Sequence, residues 1–263
     1  VSANEQAERF RTLHVPGEPV VLVNVWDVAS ARVVAAHPST KALATASWSV
    51  SAALGYADGG AMPVDVALAA VARIVGATVL PVSVDFEKGY ADALEQLSAN
   101  TELLIETGAV GLNIEDSVGD DDGECWSIEV AAARVAAVRD AAEGRGLPIV
   151  INARTDVLAG SGSVDEAIER GRAYLEAGAD CVFVLGGIGP HLREIVAGIP
   201  GPVSVLAGAG SPSVAELAAM GVARVSVGPG SMGLAYSALA AMLDGASANN
   251  AWPPSMSFRP GRS

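Results

Sequence analysis

Short runs of β-branched and aliphatic residues alternate with longer stretches whose apolar positions recur at helical spacing along almost the whole chain. Eight such runs can be read: 20–27 (VVLVNVWD), 42–47 (ALATAS), 80–87 (LPVSVDFE), 111–116 (GLNIED), 148–155 (PIVINART), 181–187 (CVFVLGG), 203–208 (VSVLAG) and 223–229 (ARVSVGP). Each is short and mostly apolar, as expected of parallel strands covered on the outside by helices. Helical periodicity is clearest over 66–77, 128–142, 164–177 and 214–220, and a glycine often follows, as in EAGAD and AAMGVAR, where it can end a helix in the left-handed conformation. Eight strand–helix pairs predict an α/β fold of the (β/α)8 TIM barrel type over about residues 20–243, with 1–263 read as one domain. The polar segment before Val20 predicts a capping helix, and residues 245–263 predict an irregular C-terminal arm. An open doubly wound sheet is the alternative, which the count of pairs disfavours.

Composition narrows the function classes. Hydrophobic residues make up 51% of the chain and aromatics 5%, so Ala, Val, Leu and Ile must build the core. The net charge of −14 opposes contact with nucleic acid or anionic lipid, and a small anionic substrate would need local positive charge from a metal or an arginine. Two cysteines, Cys125 and Cys181, form no close-spaced pair, and no apolar run reaches the length of a membrane span. The expectation is a cytoplasmic protein with no membrane and no nucleic-acid partner.

In a barrel of this type the working residues sit at the C-terminal ends of the strands and in the loops that follow. There the third run carries Asp85 and Glu87, which alternate and so face one side, and Glu115 closes the neighbouring run at the same level. Three carboxylates facing one small volume repel one another unless a cation or a proton lies between them, and hard oxygen donors select Mg2+, with Mn2+ as the alternative, over zinc. The competing reading is that these acids cap barrel ends through backbone N–H groups or salt bridges. Arg154, in NARTD, can reach a substrate carboxylate with its planar fork, or can instead brace Asp156 or Glu115. Ser47 opens the glycine-containing loop of TASWSVSAALGYADGG, which can offer a hydroxyl and backbone N–H groups to an oxyanion; Asp58 lies in the same loop, where turn formation competes with a chemical role. His14, His37 and His191 are scattered, so no histidine-based triad or zinc site is expected.

Taken in order, TASWSVSAALGYADGG, VSVDFEKGY, GLNIEDS, INARTD and SPSVAELAAMGVARVSVG resemble the isocitrate lyase/phosphoenolpyruvate mutase superfamily, in particular its small phosphonomutase-like or 2-methylisocitrate lyase-like members, over residues 20–243. The resemblance implies a Mg2+-dependent barrel enzyme that breaks a C–C or P–C bond through a metal-stabilised enolate. It implies that Ser47 and the backbone of Trp48 hold the substrate carboxylate beside Asp85 and Arg154. It further implies that Asp85 binds the metal directly, and that Asp58, Glu87 and Glu115 hold the metal's waters. Asp58 and Arg154 are the candidate catalytic residues. A homotetramer, or a dimer, with a swapped C-terminal helix is also implied, which would account for the apolar segment 232–243 and the arm beyond it.

The loop after the fourth run departs from that pattern. Lyases of the superfamily carry a Lys-Lys-Cys-Gly-His segment there, with the cysteine as general acid, whereas this chain reads SVGDDDGECWS, without lysine or histidine. The mutase-type loop uses Lys and Asn for a phosphonate, which Asp120 to Asp122 would repel. Cys125 is either a relocated acid or an incidental thiol, and Gly119 and Gly123 suggest a loop that closes over the ligand. The expected activity is C–C cleavage of a small 2-oxo or 2-hydroxy carboxylate. The alternatives are a P–C mutase or hydrolase, and a 2-oxo acid binding protein without turnover.

Overall fold

A computed structural model of the chain describes residues 2–118, 124–247 and 252. The expectations placed on Gly119, Asp120 to Asp122 and Gly123, and on nearly all of the arm beyond residue 247, lie outside the described residues. The chain runs α1 (Ala3–Arg11), β1 (Val20–Leu22), β2 (Asn24–Val25), α2 (Val28–Ala35), β3 (Leu43–Thr45), α3 (Ser47–Leu54), α4 (Val64–Val75), β4 (Val82–Asp85), α5 (Leu94–Glu106) and β5 (Gly111–Glu115). It continues through α6 (Ile128–Gly144), β6 (Val150–Thr155), α7 (Val164–Glu176), β7 (Cys181–Val184), α8 (Leu192–Gly198), β8 (Val203–Leu206), α9 (Val214–Ala219), β9 (Arg224–Ser226) and α10 (Gly230–Ser247).

All pairings are parallel, in the order β1-β9-β8-β7-β6-β5-β4-β3-β2. The first apolar run, expected as one strand, is two. Its first half pairs with β9 through Val20 and Arg224, and its second half pairs with β3 through Asn24 and Ala44. Because only Val23 separates the halves, this split is how the ring closes: tilted strands make the first strand meet the last at its start and the second at its end. Asn24 stitches the seam, donating from Nδ2 to the Thr45 carbonyl at 2.6 Å and accepting at Oδ1 from the N–H groups of Val227 (3.0 Å) and Gly228 (2.8 Å).

Alternation sorts the strand residues into two sets. Leu112 and Ile114 of β5 face outward and join Val135 and Val138 of α6 and Leu97 and Leu104 of α5 in the largest apolar cluster, while Asn113 and Glu115 face inward. The apolar core is built mainly from Ala, Val, Leu and Ile, as composition requires, while part of the barrel interior is polar. Arg224, 1% exposed, reaches across the barrel and donates from Nη2 to Ser83 Oγ (3.2 Å) and Asn113 Oδ1 (3.1 Å). Burial lowers its pKa to about 10, and among the described residues no carboxylate pairs with it.

The predicted capping helix is α1, begun by a Ser2/Glu5 capping box. It closes the N-terminal mouth with Ala7 and Phe10, packed on Leu22, Ala44 and Val110. Gly111 makes room for this plug, since a Cβ there would lie 2.6 Å from Phe10 Cε1. His14 follows at the same end, edge-on to Phe10 at 4.8 Å, with Nδ1 donating to the Phe10 carbonyl at 2.9 Å and Nε2 buried without a partner. Burial, and then the Arg224 charge, depress its pKa from 6.5 to about 4. Folding therefore favours neutral His14, and the stabilisation is complete above pH 6.5 and drains away as pH falls toward 4. Between pH 7.5 and pH 5, His14 should cost about 2 kcal/mol of stability. Denaturant titrations of wild type and His14→Leu at both pH values check this: the variant's loss on acidification should be smaller by that amount, and equal losses would refute it.

Candidate active site

The C-terminal ends of the strands surround a cavity of about 200 Å³. Drug-sized ligands occupy pockets of roughly 300–1,000 Å³, so this one suits a smaller molecule. Its polar side is formed by Ser47, Asp58, Asp85, Asn113 and Arg154.

Ser47 does not end a strand, as the sequence suggested. It is the first residue of α3, so the segment read as loop presents a helix N-terminus to the cavity, where unpaired N–H groups favour an anion. The Ser47 N–H donates to Asp85 Oδ2 at 3.0 Å, and its hydroxyl lies near Asp58, whose charged form it favours. Trp48, 49% exposed, lies on the rim. Asp58 sits in the exposed turn after α3, where burial of its carboxyl and then the neighbouring Asp85 raise its pKa.

Asp85 ends β4, and its backbone N–H is held by Thr45 Oγ1 at 2.9 Å. Glu87 lies beyond the strand end, at φ +50°, so strand alternation is not what brings it to Asp85. A left-handed turn does so, and its residues carry strain rarely accepted outside functional sites: Tyr90 is also left-handed, at φ +54°, and donates its hydroxyl to Glu87 Oε1 at 2.7 Å. Asp85 Oδ1 and Glu87 Oε2 are both buried without a hydrogen-bond partner. Burial, reinforced by Asp85 and Asp58, pushes the Glu87 carboxyl up to about 7.

Glu115, at the end of β5, keeps neither oxygen free: Oε1 accepts from Ser117 at 2.8 Å and Oε2 pairs with Arg154 Nη1 at 2.9 Å. Arg154, on β6, also grips Asp156 from Nε and Nη2, both at 2.6 Å. The bracing role weighed for this arginine is therefore present. Burial works against its charge, but Glu115 and Asp156 outweigh this and hold its pKa above the ordinary arginine value. Among the described residues, no three His, Cys, Asp or Glu side chains are arranged as direct ligands of one ion. Arg154 and Ser117 have taken the oxygens that Glu115 would offer.

Asp85 and Glu87 nevertheless fit a divalent cation. Asp85 Oδ1, on a residue that lines the cavity, and Glu87 Oε2, on the turn after β4, are buried carboxylate oxygens without a hydrogen-bond partner, the kind of donor that a hard cation takes.

Asn113 was legible as a polar strand end but not as part of the site. Its Oδ1 accepts from Arg224 Nη2 and from Asn152 Nδ2 at 2.8 Å. Arginine can only donate, so the sense of this amide is fixed, with Oδ1 toward Arg224, and the residue lines the cavity.

Cys125 is half-buried beside Val157 and Leu158, outside the cavity lining. Burial, and then the nearby Asp116 carboxylate, push its thiol pKa up to about 12. Asp116 is itself held by Tyr174, Arg170 and the Asp156 N–H. A thiol in this setting is structural. Cys125→Ser should retain turnover within about threefold of wild type, whereas loss of a general acid costs about a hundredfold or more. A steady-state assay on an active substrate separates the two outcomes.

The family model for phosphoenolpyruvate phosphomutase matches residues 10–246. A crystal structure from Burkholderia cenocepacia J2315, provisionally assigned as a phosphonomutase, is 43% identical and superposes with a TM-score of 0.88 over 93% of this chain and 100% of that one. An uncharacterised protein of Mycobacterium tuberculosis is 36% identical over 88% of this chain and 87% of its own length. The 2-methylisocitrate lyase of Escherichia coli is 32% identical over 70% of this chain and 63% of its own length.

Proposed function

From a chain that belongs to the phosphoenolpyruvate phosphomutase family, with a (β/α)8 barrel and an acid-lined pocket at its C-terminal face, we propose a Mg2+-dependent lyase that cleaves a C–C bond of a small 2-oxo or 2-hydroxy carboxylate. The observation that carries this reading is the pair of buried, unpartnered oxygens, Asp85 Oδ1 and Glu87 Oε2. Asp85 and Glu87 would hold the cation, with Asp58 beside its waters and Glu115, its oxygens taken by Ser117 and Arg154, set back from it. Mg2+, when bound, supplies the positive charge that favours an enolate over its keto form.

The chain's own residues do the rest. The N-terminus of α3, with the Ser47 hydroxyl and the Trp48 N–H, receives the substrate carboxylate, and Arg154, locked by Glu115 and Asp156, fixes its plane. For a 2-oxo acid, the C3–C4 bond breaks, its electron pair becomes the C2=C3 bond as the C2 carbonyl pair moves onto oxygen to give the enolate, the C4 fragment leaves as CO2 from a carboxylate or as an aldehyde from a hydroxyl that gives up its proton, and a proton added at C3 completes the product. Asp58, at the rim and near Ser47, is placed to carry that proton. The likeness to a 2-methylisocitrate lyase supports C–C chemistry. The acidic loop residues Asp120 to Asp122 disfavour a phosphonate. Turnover of oxaloacetate and 2-methylisocitrate, with and without Mg2+ and beside phosphonopyruvate, tests this. Turnover of phosphonopyruvate alone would turn the reading to P–C cleavage, and binding without turnover would turn it to a binding protein.

The apolar α10 supports assembly. Leu239 and Leu243, four residues apart on one face, are 55% and 62% exposed, and Leu234 on another face is 76% exposed, apolar surface that water does not favour and that a second copy of the chain would cover. Light scattering should give a tetramer or dimer, and Leu239→Asp combined with Leu243→Asp should shift it toward monomer. A monomeric wild type at working concentration would end the idea. Both cysteines are free thiols, which suits the reducing cytoplasm, and no described helix is long and apolar enough to cross a membrane.

A further inference from the structure

The cavity has two unlike sides. Facing Ser47, Asp85 and Arg154 is a wall supplied by the last strands: Phe183 of β7, Leu185 just after it, Leu206 at the end of β8, and Pro229. The neighbouring Val184 and Val205 point outward and are buried at 1% and 0% exposure, as core residues are, but Leu185 and Leu206 stay half-buried inside the pocket. Apolar side chains left part-wet in an otherwise polar cavity lose free energy until a ligand covers them.

The backbone is shaped to admit one of these leucines. Gly228 adopts φ +51°, and a Cβ there would come 2.8 Å from Leu206 Cδ1, so a side chain at 228 would displace Leu206 from the wall. Charge is poorly served on this side. Ser226 is the one hydroxyl that β7 to β9 add to the lining, and the guanidinium of Arg154, 5.8 Å from the Phe183 ring, pairs with Glu115 and Asp156 and is assigned above to the substrate's own carboxylate, which leaves no second cation for this side. A carboxylate or phosphonate pressed on this wall would be desolvated without a partner.

We infer that Phe183, Leu185 and Leu206 receive an uncharged aliphatic arm, so that the substrates are 4-hydroxy-2-oxo acids in which the C3–C4 bond breaks and the short alkyl chain leaves on the aldehyde formed at C4. This rests on the reading of the opposite side as a 2-oxo acid site. The wall sets specificity by what it cannot solvate as much as by what it covers.

Calorimetric titration in Mg2+ buffer tests this without requiring turnover. Across pyruvate, 2-oxobutanoate and 2-oxopentanoate, affinity should rise about fourfold per methylene, the equivalent of roughly 0.8 kcal/mol for each buried CH2. The branched 4-methyl-2-oxopentanoate should bind about tenfold or more tighter than oxaloacetate, which has nearly its shape but carries a carboxylate in place of the isopropyl group. Leu206→Asn should flatten the series and erase that preference, while Leu206→Met should keep both, with thermal melts confirming that each variant folds. A flat or falling series, tighter binding of oxaloacetate, or an undiminished preference in Leu206→Asn would overturn the aliphatic arm alone. Failure of every 2-oxo acid to bind would overturn the underlying 2-oxo acid reading as well.

Discussion

Alanine at Asp85 should leave a folded protein that no longer binds Mg2+ and turns over about a thousandfold or more slowly. Little of the fold depends on this side chain. Its carboxylate accepts one backbone bond, from Ser47, and leaves Oδ1 without a partner. Removing it also takes a negative charge away from Glu87 and Asp58, whose carboxyls its presence raises. Stability should therefore hold or rise slightly, the opposite of the usual outcome when a buried polar group is deleted. Calorimetric Mg2+ titration beside a denaturant curve decides it: unchanged Mg2+ affinity would remove Asp85 from the metal site, and a collapsed denaturation midpoint would make it a structural acid.

Arg154→Met should be the most damaging change to stability among the pocket residues, at about 3–5 kcal/mol, because it strands two buried acids that one guanidinium now neutralises. Its side chain is 17% exposed, and Glu115 and Asp156 are 12% and 3% exposed, so water can replace little of the lost interaction. Arg154→Lys separates bracing from substrate contact. Lysine keeps the charge between the two acids but not the fork that grips both oxygens of Asp156, so much of the stability should return. If the arginine also fixes the substrate carboxylate, the lysine variant should still show a KM raised about tenfold or more. A lysine variant with wild-type KM would leave Arg154 as a brace alone.

The contrast between these two residues marks how far the sequence could be read. Eight apolar runs separated by helical stretches determined the barrel, because parallel strands buried on both faces and amphipathic helices leave periodicities that need no partner to be recognised. The same reading placed Ser47, Asp85, Glu115 and Arg154 at one end of that barrel, since a strand's direction alone fixes which of its ends faces the pocket.

What residues meet across the ring was decided only by closure and stagger. These split the first run into β1 and β2, turned a presumed loop into α3, and carried Glu87 to Asp85 through a left-handed turn instead of along a strand. They also set Arg154 between Glu115 and Asp156, placed Cys125 near Asp116 away from the cavity, threaded Arg224 beneath Asn113, and gathered Phe183, Leu185 and Leu206 into one wall. Periodicity says which face of an element a residue occupies, whereas charge pairing and pocket shape depend on distances between elements far apart in the chain, and those distances exist only once the ring has closed.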